Sequence, residues 1–305
     1  MKRLGALNIS IIAVLLFIFV LPHLTTYSLA IDVLLLGLFA LSYNILHGHM
    51  GQASFGHAMF FGLGGYFTAL LLYYFPLPEW LSWIYYFIGV TGATLVGFVV
   101  GIIVLRKRGV YFALTNFAFL MMFYFALLQL KDITKGDDGI PDIPVPFDLA
   151  GMPFFYVCFV IVAASIFLMK RIFMDSSFGL VLHAVRETEE RVEFEGYNTY
   201  RHMLKAYTLS AMFAAIAGGL YVMHLHYVGL TMLNMMITAE GIIVTVLGGV
   251  QVFIGPLAGA AIFYVLKDFV TTYTGHWMLV LGILVMALIL FLKEGVLGRS
   301  KPLLF

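Results

Sequence analysis

Outside one stretch, Lys170 to Lys205, the chain runs in apolar blocks about as long as a bilayer is thick, and its charges stand mostly between the blocks. That pattern leaves few architectures open. A hydrocarbon core about 30 Å thick takes roughly 20 apolar residues per helix. Backbone groups inside it must be hydrogen-bonded within the protein, which leaves helices or closed barrels. The chain is 62% apolar and 11% charged, against about 45–50% and 25% in soluble domains, and its blocks are too long for barrel strands. The expectation is an all-α polytopic membrane protein, one transmembrane domain over residues 1–305. The hydropathy predicts about ten spans, near 8–22, 29–46, 57–75, 84–105, 110–130, 153–170, 205–226, 237–253, 256–274 and 277–292. Gly255-Pro256 divides the eighth from the ninth, since proline breaks or kinks a helix. The first span resembles a signal peptide but has no convincing small-residue cleavage site, so it reads as retained.

Basic residues orient such a bundle. With the N-terminus placed inside, fourteen of the seventeen Lys and Arg residues fall on the inner side. Lys131 and Lys135 fall outside and Lys267 lies within a span. Trp80, Trp83 and Trp277 then sit near the outer interface, as an aromatic belt requires. Both termini are expected in the cytoplasm. The outer loop, about 131–152, is acidic and proline-rich, which suits either a solvated connection or a docking surface. A net charge of +1 suggests no nucleic-acid partner. Cys158 is the single cysteine, so an internal disulfide and a cysteine-based metal site are excluded.

The polar island reads as a short amphipathic helix on the inner side, within a segment of about 171–204. Phe178, Val181, Leu182, Val185 and Val192 fall on one side at steps of three or four, and His183, Arg186, Glu187, Glu190 and Arg191 occupy the others. Ser176 or Ser177 is placed to cap its start, and Gly196 to end it. The helix would lie on the membrane surface or meet a protein. Glu187, Glu189, Glu190, Glu193 and Glu195 would face anionic lipid in the first case, so a protein partner is the stronger reading.

A second feature is the run from His47 to His57, where Gly48, Gly51 and Gly56 interrupt two apolar blocks. Broken helices at membrane depth occur where they line a cavity or are covered by protein. The run is therefore either an unwound segment near a pathway or a plain inner turn. His47, His49 and His57, like His224 and His226, lack a carboxylate or cysteine to complete a metal site, and none is expected. Asp32, Glu240 and Asp268 lie within spans, with Lys267-Asp268 able to compensate each other. Gly89, Ala93, Gly97 and Gly101 share one helix face, as do Ala211, Ala215 and Gly219, and Gly255 with Gly259. Such faces let helix backbones approach closely in lipid. Residues 58–66 and 211–219 are faintly alike, a weak sign of an internal repeat. No glycine-rich phosphate loop, catalytic triad or dinucleotide fingerprint is present, so the chain is not expected to be an enzyme.

Several strings together resemble one family. They are Asn44 with Gly51-Gln52, Ser54 and Phe55-Gly56-His57; Arg108 to Ala113; Thr134, Gly136, Asp138 and Gly139; Phe178-Gly179; Ala184-Val185-Arg186-Glu187 with Glu189; Gly196; Leu247-Gly248-Gly249; and Gly255-Pro256 with Gly259. In this order they are similar to the LivM-type permease subunits of bacterial ABC importers for branched-chain amino acids. The resemblance implies a permease of the inner membrane working with two cytoplasmic ATP-binding subunits, a second and related permease, and an external substrate-binding protein. ATP and Mg would be bound by the partner ATPase, with no cofactor in this chain. It implies ATPase coupling through Phe178, Gly179, Val185, Arg186, Glu187, Glu189 and Gly196. It places the substrate pathway near Asn44, Gly51, Gln52, Ser54, Thr115, Asn116, Glu240, Gly248 and Gly249. It places binding-protein docking at Gly136, Asp137, Asp138 and Gly139. Three departures stand out: Lys135 replaces a usual glycine, Asn116 a usual threonine, and Gln251-Val252 a usual Gly-Thr pair. The same architecture in relatives carries urea or short amides. A stand-alone secondary transporter or channel, or a membrane scaffold subunit, are the rival readings.

Overall fold

The computed structural model describes residues 2–75, 78, 81–145, 151–273 and scattered positions from 279 to 295. The expected span at 277–292 lies largely outside the described residues. Among those described, twelve α-helices follow in order: α1 Lys2–Leu24, α2 Tyr27–Asn44, α3 Ala58–Tyr74, α4 Trp83–Val104, α5 Gly109–Gln129, α6 Lys131–Thr134, α7 Met152–Met169, α8 Ser177–Glu187, α9 Glu189–Phe194, α10 Thr199–Leu225, α11 Met235–Gly248 and α12 Gly255–Tyr273. The count exceeds the ten expected because α6, α8 and α9 are short elements between spans. Among the described residues, five helices are long and apolar enough to cross a membrane: α2 with its extension to His49, α4, α5, α7 with its extension to Met174, and α10.

α2 stands at the centre. From Ala30 to Asn44 only Asp32 is not buried, and α7, α10, α11 and α12 all pack on it. The outer helices differ. Phe87, Leu95 and Val99 on α4, Val110, Tyr111 and Phe125 on α5, and Val160 and Phe167 on α7 are all exposed, which in a soluble protein would be an aggregation hazard. In a bilayer these faces meet acyl chains, so hydrophobicity alone does not hold the helices to each other.

Close backbone contact does. Gly97 of α4 faces Ala211 of α10, and Gly101 faces Tyr207. Gly64 of α3 faces Ala215, and Gly218 of α10 lies on the Phe61 carbonyl with no room for a Cβ. The small-residue stripes on α4 and α10 are thus the seams by which α3, α4 and α10 join. The two faintly similar segments, 58–66 and 211–219, lie against each other along this seam. Gly37 of α2 meets Leu257 of α12, and Gly259 of α12 meets Val244 of α11. The Gly255–Gly259 face therefore packs the last two described helices together.

α3 does not begin at an end of the bundle. Its Phe60 ring meets Tyr207, about a third of the way along α10, with centroids 5.4 Å apart. The chain reaches that depth without a helix. α2 runs on through a π-helical turn, Ile45–His49, and residues 50–57 then re-enter the bundle unwound, with Met50, Ser54 and His57 buried. Thr238 of α11 accepts the first helical N–H of α3, from Ala58, at 3.0 Å, so an orphan donor is satisfied from another helix.

An added methyl at Gly218 tests the seam. Gly218→Ala is expected to destabilise by about 1–3 kcal/mol through overpacking, read as a lower thermal midpoint in detergent. Gly92→Ala, which meets only the Phe67 ring edge at 3.0 Å, should cost less. Equal midpoints for Gly218→Ala and the parent chain would remove the seam from the account.

Candidate coupling site and pathway

The polar island folds back on the bundle rather than extending from it. α7 continues into a second π-helical turn, Lys170–Met174, and the Lys170 ammonium pairs with Asp175 at 3.2 Å. α8 then starts so close that Gly179 leaves no space for a Cβ against the Phe173 carbonyl. Phe178 lies between the Phe173 ring at 5.6 Å and the His202 ring at 5.8 Å. Leu182, Val185 and Val192 are buried. The island is two helices, not the single one expected, because Thr188 is extended (φ −157°, ψ 96°) and turns the chain between them. Ser176 sits at the cap position but its hydroxyl donates back to Ile172 instead of capping. Gly196, at φ +89°, closes α9 with Gly196 N–H to Glu193 and Tyr197 N–H to Val192, a Schellman stop that favours glycine.

Arg186 and Glu189 are among the side chains that tie the island inward. Arg186 donates to the Gly48 carbonyl in the first π turn. Gly51 (φ +72°) lies beneath it, with a built Cβ only 2.8 Å from Arg186 Cγ. Glu189 accepts a bidentate pair from Arg108, Nε to Oε2 at 2.8 Å and Nη2 to Oε1 at 2.6 Å, and the Thr199 hydroxyl, 3.2 Å away, shares its one hydrogen with the nearer Glu193 carboxylate at 2.6 Å. The hydrogen bond from Arg108 holds the Glu189 carboxyl below its ordinary pKa, against the opposing effect of partial burial. Burial and the Arg186 charge lower His183 below the usual imidazole value, with Glu187 opposing. Arg108 precedes α5, so α8–α9 is fastened both to the broken end of α2 and to the start of α5. Leu180 and Phe194 are exposed on the surface of the two helices, and Phe194 is 91% so, while Glu187 is exposed at the rim of the cavity that Arg186 lines. Leu180 and Phe194 were not singled out from the sequence. Their signal was an apolar residue off the buried stripe, for Phe194 between two glutamates.

The residues expected along a pathway separate into groups. Asn44 is buried with its Oδ1 unpartnered. It borders a cavity of about 140 Å³ with Gly48, His49, His183, Arg186 and Gln251. Gly51 adjoins it beneath Arg186. Gly248 and Gly249 lead into the turn that carries Gln251, and Gly249 has φ +108°. Gln52 accepts the Gly109 N–H at 2.9 Å, bracing the start of α5. Ser54 is buried with an unpartnered hydroxyl. The others lie elsewhere. Asn116 is fully buried, bonded to Phe112 and to the Tyr207 hydroxyl at 2.5 Å, so it joins α5 to α10. Thr115 bonds its own helix at Tyr111. Glu240 pairs with Lys267 at 3.5 Å, which leaves Asp268 out of the compensation expected within Lys267-Asp268. The histidines go separate ways: His57 bonds Ser42 at 2.9 Å, His49 stacks on Phe173, and His224 approaches Asp32 at 3.7 Å.

At the other end, the loop after α5 is ordered over its described part. Thr134 accepts from Gly136 N–H at 3.2 Å. Ile140 and Val228 exchange backbone hydrogen bonds at 2.9 and 3.1 Å. Gly139 (φ +69°) has the Tyr227 hydroxyl 2.5 Å from a built Cβ. Asp137 and Asp138 are exposed beside them. Lys135 adopts φ +61°, a left-handed conformation that disfavours a Cβ by about 1–2 kcal/mol. This accounts for the glycine that the resemblance leads one to expect there.

The family model for the branched-chain amino acid transport system permease component matches residues 25–292. The high-affinity branched-chain amino acid transport system permease protein LivM of Escherichia coli (strain K12) is 27% identical over 293 residues, covering 86% of this chain and 67% of its own. The LivM of Salmonella typhimurium (strain LT2) is 27% identical over 291 residues, with the same coverage. No solved structure matches the chain.

The Arg108–Glu189 tie is open to a double-mutant cycle. Arg108→Gln and Glu189→Gln are expected to couple by about 0.5–3 kcal/mol in thermal unfolding at neutral pH. Because the carboxyl pKa is depressed, the coupling should be whole above the ordinary carboxylate range and vanish as pH falls through the lower, folded value. Additive single effects at pH 7 would mean that the pair fastens nothing.

Proposed function

The chain belongs to the family of permease components of branched-chain amino acid transport systems, and from that premise we propose how it couples ATP hydrolysis in a partner to movement of substrate. It is a membrane-embedded transport subunit, not an enzyme. The island end faces the cytoplasm of a bacterial inner membrane, with both termini on that side. ATP-binding subunits, two per complex, grip the exposed surface of α8–α9 through Leu180 and Phe194, with Glu187 at the rim of the Arg186 cavity. ATP and Mg are bound in those subunits. A second, related permease completes the pathway, and an external binding protein delivers a branched-chain amino acid at the loop carrying Asp137 and Asp138.

The observation that carries the reading is the two-faced build of α8–α9. One face offers apolar and acidic side chains outward. The other sends Arg186 to the Gly48 carbonyl and Glu189 to Arg108. A rigid-body push on the outward face would therefore reach the unwound segment 50–57 and α5 together. Transporters place unwound segments of this kind next to the substrate and move one helical group against another around them. Asn44, Gln52 and Ser54 would be the polar groups nearest that movement.

The outward face is tested apart from the inward ties. Leu180→Asp with Phe194→Asp is expected to leave the chain in the membrane. ATPase co-purification and uptake of labelled leucine should each fall at least about tenfold, the loss of a few interface anchors. Normal co-purification in that variant would overturn the proposed grip. Leucine uptake competed by urea or acetamide, and not by valine, would overturn the substrate assignment.

A further inference from the structure

A second recess lies at the island end, apart from the Arg186 cavity. It is a groove of about 540 Å³ among α4, α10, the second π turn and the start of α8, within the roughly 300–1,000 Å³ of pockets that enclose a small ligand. Its walls are apolar: Phe98 and Leu209, then Leu204, Ile172 and Phe178. Arg201 and Lys205 also line it. Both are exposed, and among the described residues neither side chain pairs with a carboxylate. Three island carboxylates are engaged elsewhere: Asp175 with Lys170, Glu189 with Arg108 and Glu193 with Thr199.

The arrangement is graded along α10. Arg201, Lys205 and Leu209 follow at steps of four, on one helix stripe. At 1.5 Å per residue the stripe runs about 12 Å from a guanidinium near the helix start to an apolar side chain two turns in. Phe98 is itself 41% exposed, on a helix whose Leu95 and Val99 are exposed too, so the groove opens sideways toward the acyl layer. A soluble anion has no use for the apolar walls, and a neutral apolar molecule has none for the cations. We propose that this groove binds an anionic phospholipid, its phosphate on Arg201 and Lys205 and an acyl chain along Phe98 and Leu209. Basic pockets between helices at a membrane surface take such headgroups, and each cation contributes roughly five-fold in binding. Phe178 belongs both to the groove and to the ring stack on His202, so a seated lipid also braces the start of α8.

Native mass spectrometry of the purified full-length chain reads this directly, and its readout does not involve transport, so it stands or falls apart from the proposed function. After delipidation the chain is offered phosphatidylglycerol or phosphatidylcholine with the same acyl chains. Phosphatidylglycerol is expected to be retained preferentially. Arg201→Gln with Lys205→Gln should cut that retention by about 25-fold, and Leu209→Trp should reduce it with both cations intact. Arg191→Gln, an exposed arginine on α9, should leave it unchanged. Equal retention of the two lipids by the parent chain would overturn the proposal without any variant. So would wild-type retention in the double variant. Displacement of the bound lipid by millimolar inorganic phosphate would reduce the groove to a site for free anions and refute the lipid.

Discussion

A buried carbonyl that loses its helical partner where an α-helix gives way needs another donor. The Gly48 carbonyl, in the turn where α2 gives way, is such a group, and Arg186 of α8 supplies the donor. Much of the architecture follows from that arrangement. The break in α2 lets residues 50–57 re-enter unwound, so that α3 starts partway along α10. The same break requires a cover, and the cover is the polar island. An element that looks peripheral in the sequence is thereby part of the satisfaction of the core.

The rest of the bundle keeps the break in place by shape. α2 is surrounded and cannot shift without disturbing α7, α10, α11 and α12. The glycine and alanine stripes bring α3, α4 and α10 to backbone contact, and packed interfaces of this kind change by jumping between arrangements rather than by bending. Polar side chains also bridge helices, among them Asn116 with Tyr207, Ser210 with the Ser42 carbonyl, Thr238 with Ala58, Tyr86 with the Ile216 carbonyl, Thr245 with the Ala40 carbonyl and Tyr200 with the Ile102 carbonyl.

Much of this was legible in the sequence, and for definite reasons. Length and hydropathy mark the long helices, since the bilayer fixes both. The faces at Gly89–Gly101 and Ala211–Gly219 are visible because a period of four survives in any helix. The island's buried stripe is visible for the same cause. What was not legible depends on contacts distant in the chain. Nothing local to Arg186 says that it turns to a carbonyl 138 residues away, and nothing local to Thr188 says that the helix breaks there to aim Glu189 at Arg108. Nor does anything local to Asn116 or Glu240 name the partner that each finds, Tyr207 in one case and Lys267 in the other. Lys135 shows the reverse: a residue that departs from the expected glycine keeps the left-handed backbone that glycine serves.

The inward tie makes one demand that no reading of the outer surface shares. If motion reaches the broken segment through Arg186, a complex carrying Arg186→Ala should still assemble and hydrolyse ATP while moving little or no substrate. The decisive quantity is the number of ATP molecules consumed per amino acid imported, in vesicles holding the whole complex. The account predicts that this ratio rises by an order of magnitude or more, roughly the 1–3 kcal/mol typical of coupling between sites. An unchanged ratio, with uptake and hydrolysis both at parent levels, would contradict it.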